Sequence, residues 1–482
     1  MKKHLLLKLL GLFAVLALAA SACGGDDDAD GTGAAPADDS AAQPAAEPAD
    51  DSAAEPAAEP ADDSAAEPAD DGGDAAAEPA GEAVTVTMWW HTGTPEEMEA
   101  TDAAVAAFNA SRTDIQIDKT DIPGGAYTDQ VNAAALAGDL PCVLDFDGPF
   151  VYNFAWSDYL IPIDEYVSDE MRADFLPSII DQGTYNGELY SLGQFDSGLG
   201  MYANRAYLDA AGVRIPTFEE PWTLEEFEAG LAALAELPEV EFPLDLKINY
   251  GQGEWYTYGF APILQSFGGD LVDRSDYQSA SGVLDGPESV EAMETFQSWF
   301  ENGWVDPATP ADDSFYGSKT AAISFVGHWM WTPHSEALGD DLLVLPMPNF
   351  GGETVTGMGS WNYGISSNCE DPAAAFEVLS HLVSTEEILR MTAGNGAVPA
   401  RLSALEQSDL YSADGPLAIF ARQLSEGRAV PRPIFPGYAT VTEVFAQAVA
   451  DIIAGADVQS ELSDAASTID QDIEDNSGYP TG

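Results

Sequence analysis

Two segments with the pattern of β-strands, 84–90 and 142–146, end in side chains that could hold a polar ligand. These side chains are Trp90, His91, Asp145, Phe146 and Asp147. An aromatic face packs on the flat C–H surface of a polyhydroxylated molecule, and a carboxylate accepts hydrogen bonds from its hydroxyl groups. Because open α/β sheets bind ligands at the carboxyl ends of their strands, we expect these side chains to lie at a binding site.

The segments around these residues alternate between strand and helix patterns. The strand at 84–90 is followed by a helix that Pro95 opens, by a second strand at 115–118, and by a helix at 127–137. This rhythm predicts an α/β fold with parallel strands. Helical spacing of apolar residues predicts further helices at 205–211, 224–235, 287–301, 372–382, 385–392 and 439–454.

The charge of the 482-residue chain is strongly acidic. It has 83 acidic residues against 16 lysines and arginines, a formal net charge of −67. Such a field repels nucleic acid and anionic ligands. A solvated acidic surface, of the kind that suits a saline habitat, accounts for this charge without any special acid chemistry.

The first 22 residues read as an export signal, and Cys23 follows them. Lys2 and Lys3 precede an apolar stretch that ends in small residues immediately before Cys23. This approach resembles a bacterial lipobox, which implies a diacylated Cys23 and a protein held on the outer face of the cell membrane. Ordinary signal cleavage, with Cys23 incidental, is the alternative.

Residues 23–83 are predicted to form a disordered tether between the anchor and a globular part. From Gly24 to about Ala83 the chain has no basic and no aromatic residue, and the unit Ala-Glu-Pro-Ala-Asp-Asp-Ser recurs. Too little apolar surface is available there to offset the entropy of ordering. The remaining 400 or so residues are enough for two lobes. Cys142 and Cys369 remain, as a disulfide or as two buried thiols.

Several segments of the globular part resemble, in order, the extracellular solute-binding proteins of sugar ABC importers, of the maltose-binding-protein type. They are 185–192 with 201–212, 221–227, 267–270, 319–325 with Gly327-His328-Trp329, 396–401 and 453–455. The resemblance implies an α/β, two-lobed periplasmic-binding-protein fold (type II), in which each lobe is a sheet flanked by helices and the ligand lies in the cleft between them.

The same resemblance implies the limits of the lobes. Lobe one is expected at 84–195 and 364–410 and lobe two at 200–360 and 417–482, with crossings near 196–199, 360–364 and 410–417. Cys142 and Cys369 would then lie on neighbouring strands of lobe one, which favours the disulfide.

Ligand contacts are implied from both lobes and from the crossings. Besides the strand-end residues, the resemblance points to Asp196, Glu254, Trp255, Tyr256, Trp329, Trp331, Trp361, Asn362, Arg401 and Tyr438. Core packing is the alternative for every aromatic residue among them. Trp89 and Trp90 point to opposite faces of their strand, so we expect only one of the two to reach the cleft.

These expectations describe a carrier and no enzyme: a monomer that captures a carbohydrate and passes it to the transmembrane subunits of an ABC importer. We expect no catalytic residue, metal or cofactor, because no nucleophile or zinc motif occurs. Two alternatives stay open at this point. One is a binding protein for a polyamine or other cation, and the other is a secreted glycoside hydrolase.

Overall fold

The computed structural model describes residues 83–308, 312–412 and 414–480. The predicted signal peptide, Cys23 and the predicted tether up to residue 82 lie outside the described residues. Within the described ranges no helix is both long enough and apolar enough to cross a membrane.

The described strands are mostly short. In chain order they are β1 (Val84–Thr92), β2 (Ile115–Pro123), β3 (Val143–Asp147), β4 (Thr184–Tyr185), β5 (Glu188–Leu189), β6 (Ser191–Gly193), β7 (Phe195–Asp196), β8 (Leu199–Asn204), β9 (Leu244–Asp245), β10 (Ile323–Gly327), β11 (Leu342–Leu345), β12 (Thr356–Met358), β13 (Trp361–Ile365), β14 (Val398–Pro399) and β15 (Ala429–Pro431).

Helices fill most of the connections between these strands. They are α1 (Pro95–Ser111), α2 (Gly124–Ala137), α3 (Val151–Trp156), α4 (Asp169–Asp174), α5 (Pro177–Gly183), α6 (Arg205–Ala211), α7 (Leu224–Ala235), α8 (Glu254–Ser266), α9 (Pro287–Glu301), α10 (Trp331–Leu338), α11 (Pro372–Leu382), α12 (Thr385–Asn395), α13 (Leu402–Leu405), α14 (Ala418–Ser425), α15 (Tyr438–Ile453) and α16 (Val458–Asp475).

The first sheet has the strand order β2-β1-β3-β13-β6. Strands β1, β2 and β3 are parallel, as predicted, but β13 runs antiparallel to β3 and to β6. Strand β13 starts at the edge where β3 ends, so Trp361 is paired with Asp147. Residues 361–363, predicted to cross between lobes, are therefore part of a first-sheet strand.

The second sheet has the strand order β11-β8-β10-β9. Strand β8 is antiparallel to both of its neighbours, and β9 and β10 are parallel. The chain enters this sheet from β6 through β7 and leaves it from β11 to β13. Each passage makes a short pairing with a later strand, β7 with β14 and β12 with β15. The limits predicted for the lobes remain a proposal.

Local sequence signals explain where several helices begin and end. Thr223 and Glu226 form a reciprocal capping box at the start of α7, which satisfies two of the unpaired N–H groups there. Asn204 caps α6, and Gly212 closes it in the left-handed conformation with φ 70°. These signals are why the predicted bounds of α6 and α7 are confirmed to the residue.

Each sheet packs its helices over a buried apolar core. Val86 and Met88 of β1 pack with Phe108 of α1 beside the first sheet, and Phe296 packs with Phe260 next to the second. Cys142, before β3, is bonded to Cys369, after β13, as predicted. The cross-link ties together two strands that are neighbours in the first sheet.

Candidate ligand-binding cleft

A cavity of about 500 Å³ lies where the ends of the first-sheet strands meet the ends of the second-sheet strands. Its size is within the range of small-molecule sites, roughly 300–1,000 Å³. The first sheet contributes His91, Asp147 and Trp361, and the second-sheet side contributes Glu254, Trp255 and Trp329. We call this cavity the cleft. Its two walls come from segments far apart in the sequence.

The first wall is built on a stack of His91 and Trp361. The two rings are nearly parallel, at 7°, with centroids 3.4 Å apart. The Nδ1 atom of His91 lies 2.7 Å from Oδ2 of Asp145, which is buried behind it. Tyr127 packs its edge against Trp361 at 5.9 Å between ring centroids. These contacts fix the orientation of the Trp361 ring.

The His91–Asp145 pair holds a proton at the back of this wall. Burial lowers the pKa of His91, but the Asp145 carboxylate beside it more than compensates, so the pKa is raised overall. Burial also raises the pKa of Asp145, against the opposing effect of His91. The Nδ1–H group of His91 therefore donates to a carboxylate that has no access to water.

Arg432 joins the two walls. Its two terminal nitrogens donate to the two carboxylate oxygens of Asp147, each over 2.6 Å, and one of them also donates to Oε1 of Glu254 over 2.5 Å. The hydroxyl groups of Tyr438 and Thr442 donate to the same Glu254 carboxylate. The Arg432 side chain is 5% exposed, and its guanidinium lies over the Tyr258 ring.

Burial and charge act in opposite directions on this network. Burial lowers the pKa of Arg432, but Asp147 and Glu254 raise it well above its usual range. Burial is also the main reason why the pKa of Glu254 is raised, and Arg432 partly offsets it. The arginine therefore stays charged, and the two carboxylates depend on it for compensation.

Aromatic residues make up much of the second wall. The indole N–H of Trp329 donates to the hydroxyl of Tyr250 over 3.1 Å, and Trp255 meets Trp329 edge to face at 6.0 Å. Gly327 makes room for this arrangement, because a Cβ atom there would lie 2.0 Å from the Trp329 ring. The Gly-x-Trp spacing thus has a packing reason.

Asp312 is the charged residue of the second wall beside Tyr250. Its Oδ1 atom accepts from Nζ of Lys247 over 2.9 Å and from the Asn249 amide over 3.2 Å. Lys247 is fully buried and also pairs with Asp245 at 2.8 Å. The lysine therefore anchors Asp312 from behind, without reaching the cleft.

Two more residues of the cleft are held by the end of α12. Glu97 accepts from the Asn395 amide and, in the capping box of α1, from the backbone N–H of Thr94. His328 donates from Nδ1 to the carbonyl oxygen of Asn395, and its Nε2 accepts from Ser197. Burial lowers the pKa of His328 to about 4, so its imidazole is neutral at pH 7.

Six of the fifteen predicted residues line the cleft, and the other nine do not. The six are His91, Asp147, Glu254, Trp255, Trp329 and Trp361. Trp90 is buried in the core of the first sheet, with Lys119 over its ring. Neither Trp89 nor Trp90 lines the cleft, and the residues of β1 that do are His91 and Thr92.

Other predicted residues are buried next to the cleft. Asp145 lies behind His91, Tyr438 lies behind Glu254, and Asn362 donates to the carbonyl oxygen of Ser360. Asp196 accepts from the backbone N–H groups of Ser197 and Gly359 at the passage between the sheets. These residues support the walls and do not line them.

The remaining predicted residues belong to the core or to other contacts. Phe146 and Tyr256 are core residues, because each is the strand or helix neighbour of a cleft residue and points elsewhere. Trp331 packs in an apolar cluster around Tyr202 and Phe420. Arg401 pairs with Asp174 and covers the Phe175 ring.

The sequence-based predictions missed several residues that line the cleft. They include Glu97, Ser197, Tyr250, Tyr258, Asp312, His328 and Arg432. Glu97 could have been identified, because it is the capping-box acid of the helix that follows the first strand. Tyr258 lies one helical turn after Trp255. Arg432 has no local signal.

The family is decided by a model described as bacterial extracellular solute-binding protein, which matches residues 103–418, more than half of this chain. The chain belongs to that family. The two-lobed α/β fold predicted from the sequence is confirmed by solved structures, with which the solute-binding protein shares its architecture.

One such structure is the GacH receptor of Streptomyces glaucescens, determined unliganded and in complex with acarbose. It has a TM-score of 0.70 and 22% identity, over 81% of this chain and 98% of that chain. Another is the cyclic alpha-maltosyl-1,6-maltose binding protein of Arthrobacter globiformis, with a TM-score of 0.65 and 23% identity over 82% of this chain and 100% of that one. At sequence identities of 22% and 23%, the similarity to these structures establishes the shared fold.

Relatives are also found by sequence. The solute-binding protein is 26% identical over 266 residues to the maltotriose-binding protein of Pyrococcus abyssi, a match that covers 54% of this chain and 52% of that protein. It is 22% identical over 380 residues to a putative binding protein of Brucella abortus. That match covers 76% of this chain and 87% of the Brucella protein. The chain thus matches about half the length of the first relative.

Proposed function

We propose that this solute-binding protein captures a carbohydrate and delivers it to an ABC importer. The observation that carries the proposal is the composition of the cleft, where Trp361 on one wall and Trp255 and Trp329 on the other accompany carboxylates. Aromatic faces pack on the C–H surfaces of a sugar ring, and carboxylates accept from its hydroxyl groups.

The relatives support the same class of ligand. The P. abyssi relative is named for maltotriose, and the two structural neighbours are described with acarbose or with a cyclic maltose derivative. None of these names identifies the particular sugar. The ligand is therefore proposed as a carbohydrate that fits a cavity of about 500 Å³.

Delivery follows from closure of the two walls around the ligand. The sheets are joined by short passages such as β7, which can absorb a hinge rotation. Arg432 already bridges Asp147 and Glu254 across these walls, so it favours the closed arrangement. We propose that the permease recognises this closed, sugar-loaded form of a monomer.

A ligand screen tests the proposal. The purified chain is incubated with maltose, maltotriose, cellobiose, mannobiose, putrescine and spermidine, and its thermal unfolding is followed. A sugar present at about 100 times its dissociation constant stabilises the fold by about 2.7 kcal/mol. A shift with a sugar that is recovered intact supports the proposal. Stabilisation by a polyamine alone, or cleavage of the sugar, contradicts it.

Anchoring through Cys23 is a second proposal, on a residue outside the described ranges. Two acyl chains on this residue would hold the protein on the outer face of the cell membrane. Cells are fractionated with and without the change Cys23→Ser. The native chain is expected with the membranes and the variant in the medium. A native chain that is already free in the medium contradicts the anchor.

A further inference from the structure

Apart from the balanced His91–Asp145 pair, the charged side chains of the cleft form three separate groups, and each has one carboxylate more than it has cations. The groups are centred on Arg432, on Lys247 and on Glu97. Among the described residues that line the cleft, Arg432 is the only arginine or lysine, whereas Glu97, Asp147, Glu254 and Asp312 are all acidic. The cleft therefore presents excess negative charge to its ligand.

The first group contains two carboxylates around one guanidinium. Asp147 accepts hydrogen bonds from both terminal nitrogens of Arg432, and Glu254 accepts a further hydrogen bond from one of them. Because these nitrogens are already engaged and the side chain is 5% exposed, Arg432 has little capacity left for an anionic ligand.

The second group has the same balance. Lys247 is fully buried and its ammonium group is shared by Asp245 and Asp312. Of the three side chains only Asp312 lines the cleft, where it is 33% exposed. The excess negative charge of this group therefore faces the ligand.

The third group is Glu97 alone. Its carboxylate oxygens accept from the Asn395 amide and from the Thr94 backbone, both of which are neutral. No ion pair of Glu97 is present among the described residues. Two of the three groups thus keep their excess charge even where Glu254 carries a proton.

Aromatic rings lie beside the exposed carboxylate of the second group. Tyr250, Trp255 and Trp329 are packed against one another along this wall. The Asp312 carboxylate accepts from the amide of Asn249, the residue before Tyr250, and after burial its charge contributes most to raising the pKa of Tyr250. The negative faces of aromatic rings next to a carboxylate form a favourable environment for an ammonium group.

We infer that the cleft selects a carbohydrate that bears a protonated amine over its neutral counterpart, and that it rejects acidic sugars. The inference rests on the proposed function, since it concerns the same site. The ammonium group lies against Asp312 and its neighbouring rings, while the rest of the sugar packs on Trp361. Acidic sugars meet the excess carboxylates of these groups, while His91 and Arg432 are already paired with Asp145, Asp147 and Glu254.

Three derivatives of one oligosaccharide give matched probes. The reducing end of maltotriose is converted to the neutral alditol, to the 1-amino-1-deoxyalditol and to the aldonate, so that the probes differ in charge at one carbon. If maltotriose is not bound in the screen, the tightest neutral reducing sugar replaces it. Dissociation constants are measured by calorimetry at pH 7, at low and at high salt.

The amine is expected to bind about tenfold more tightly than the alditol at low salt, and the aldonate at least tenfold more weakly. The advantage of the amine should shrink in high salt, which screens a charge interaction. In Asp312→Asn the ratio of the amine and alditol constants should approach one. The exposed acid Asp340 lies outside the cleft, so Asp340→Asn should keep the native ratio.

Equal binding of amine and alditol, or tighter binding of the aldonate, overturns the inference and leaves the carrier function intact. An amine preference that Asp312→Asn does not alter overturns the placement of the ammonium group. If no carbohydrate binds at all, the proposed function fails and the inference fails with it. The salt dependence of the native chain gives an answer even if the Asp312 variant does not fold.

Discussion

Arg432 and Asp147 form a bidentate pair, in which each terminal nitrogen of the guanidinium lies 2.6 Å from a different carboxylate oxygen. Asp147 ends β3 of the first sheet, and the same arginine reaches Glu254 at the start of α8. A buried arginine with two partners on different walls makes the arrangement of the walls depend on one side chain.

Replacing Arg432 by methionine should destabilise the fold strongly. The change leaves Asp147 and Glu254 without their cation, and breaking a buried pair in this way costs about 3–5 kcal/mol. Urea denaturation at pH 7 measures the loss. Arg214→Met is the control, because Arg214 and Glu226 are 39% and 45% exposed, and such a surface pair contributes less than about 1 kcal/mol. Equal losses in the two variants would count against the role of Arg432.

The free energy of unfolding should decrease as the pH is lowered from 6.5 to about 4, because of His328. Burial lowers its pKa to about 4, whereas an unfolded histidine titrates near 6.5. Within this window the unfolded chain binds a proton that the folded chain does not, so acid favours unfolding. NMR titration of the imidazole checks the cause directly. A His328 resonance with a midpoint near 6.5 would contradict it.

The sequence predicts the fold better than it predicts the cleft, and the reason is the range of the interactions. Helix α7 begins at a capping box formed by Thr223 and Glu226, only three positions apart, so its start can be read locally. Arg432, by contrast, is 285 residues from Asp147 and 178 from Glu254. No spacing rule connects such residues before the chain folds.

The direction in which a side chain points is a second property that the sequence does not determine. Alternation along β1 establishes that neighbouring side chains point to opposite faces, but the face that meets the cleft depends on how the sheet is covered. Trp90 turns into the core and His91 lines the cleft. Trp329 could be predicted because its Gly-x-Trp motif resembles that of a known family, in which the tryptophan has a known position in the fold.

Trp329→Ala should weaken sugar binding by more than about tenfold, because an aromatic face of the cleft is lost. Trp331→Ala is a matched control, since Trp331 has the same side chain two residues later and does not line the cleft. Calorimetric titration with the sugar identified by the screen measures both. An unchanged affinity in Trp329→Ala would remove this residue from the proposed site.

Gly327→Ala should displace the Trp329 ring and so reduce the affinity for sugar, although residue 327 itself does not line the cleft. The added Cβ would lie 2.0 Å from the ring, while the backbone at residue 327 has φ −89°, which alanine adopts without strain. The cost is therefore steric, and overpacking of this kind is about 1–3 kcal/mol. Denaturation and calorimetry measure the two effects.

The double variant Gly327→Ala with Trp329→Ala isolates the cause. Removing the ring removes the clash, so the double variant should be about as stable and bind sugar about as weakly as Trp329→Ala alone. A double-mutant cycle then gives a large coupling energy between the two positions. If instead the two losses add, Gly327 acts through the backbone and the glycine is not there to make room for the tryptophan.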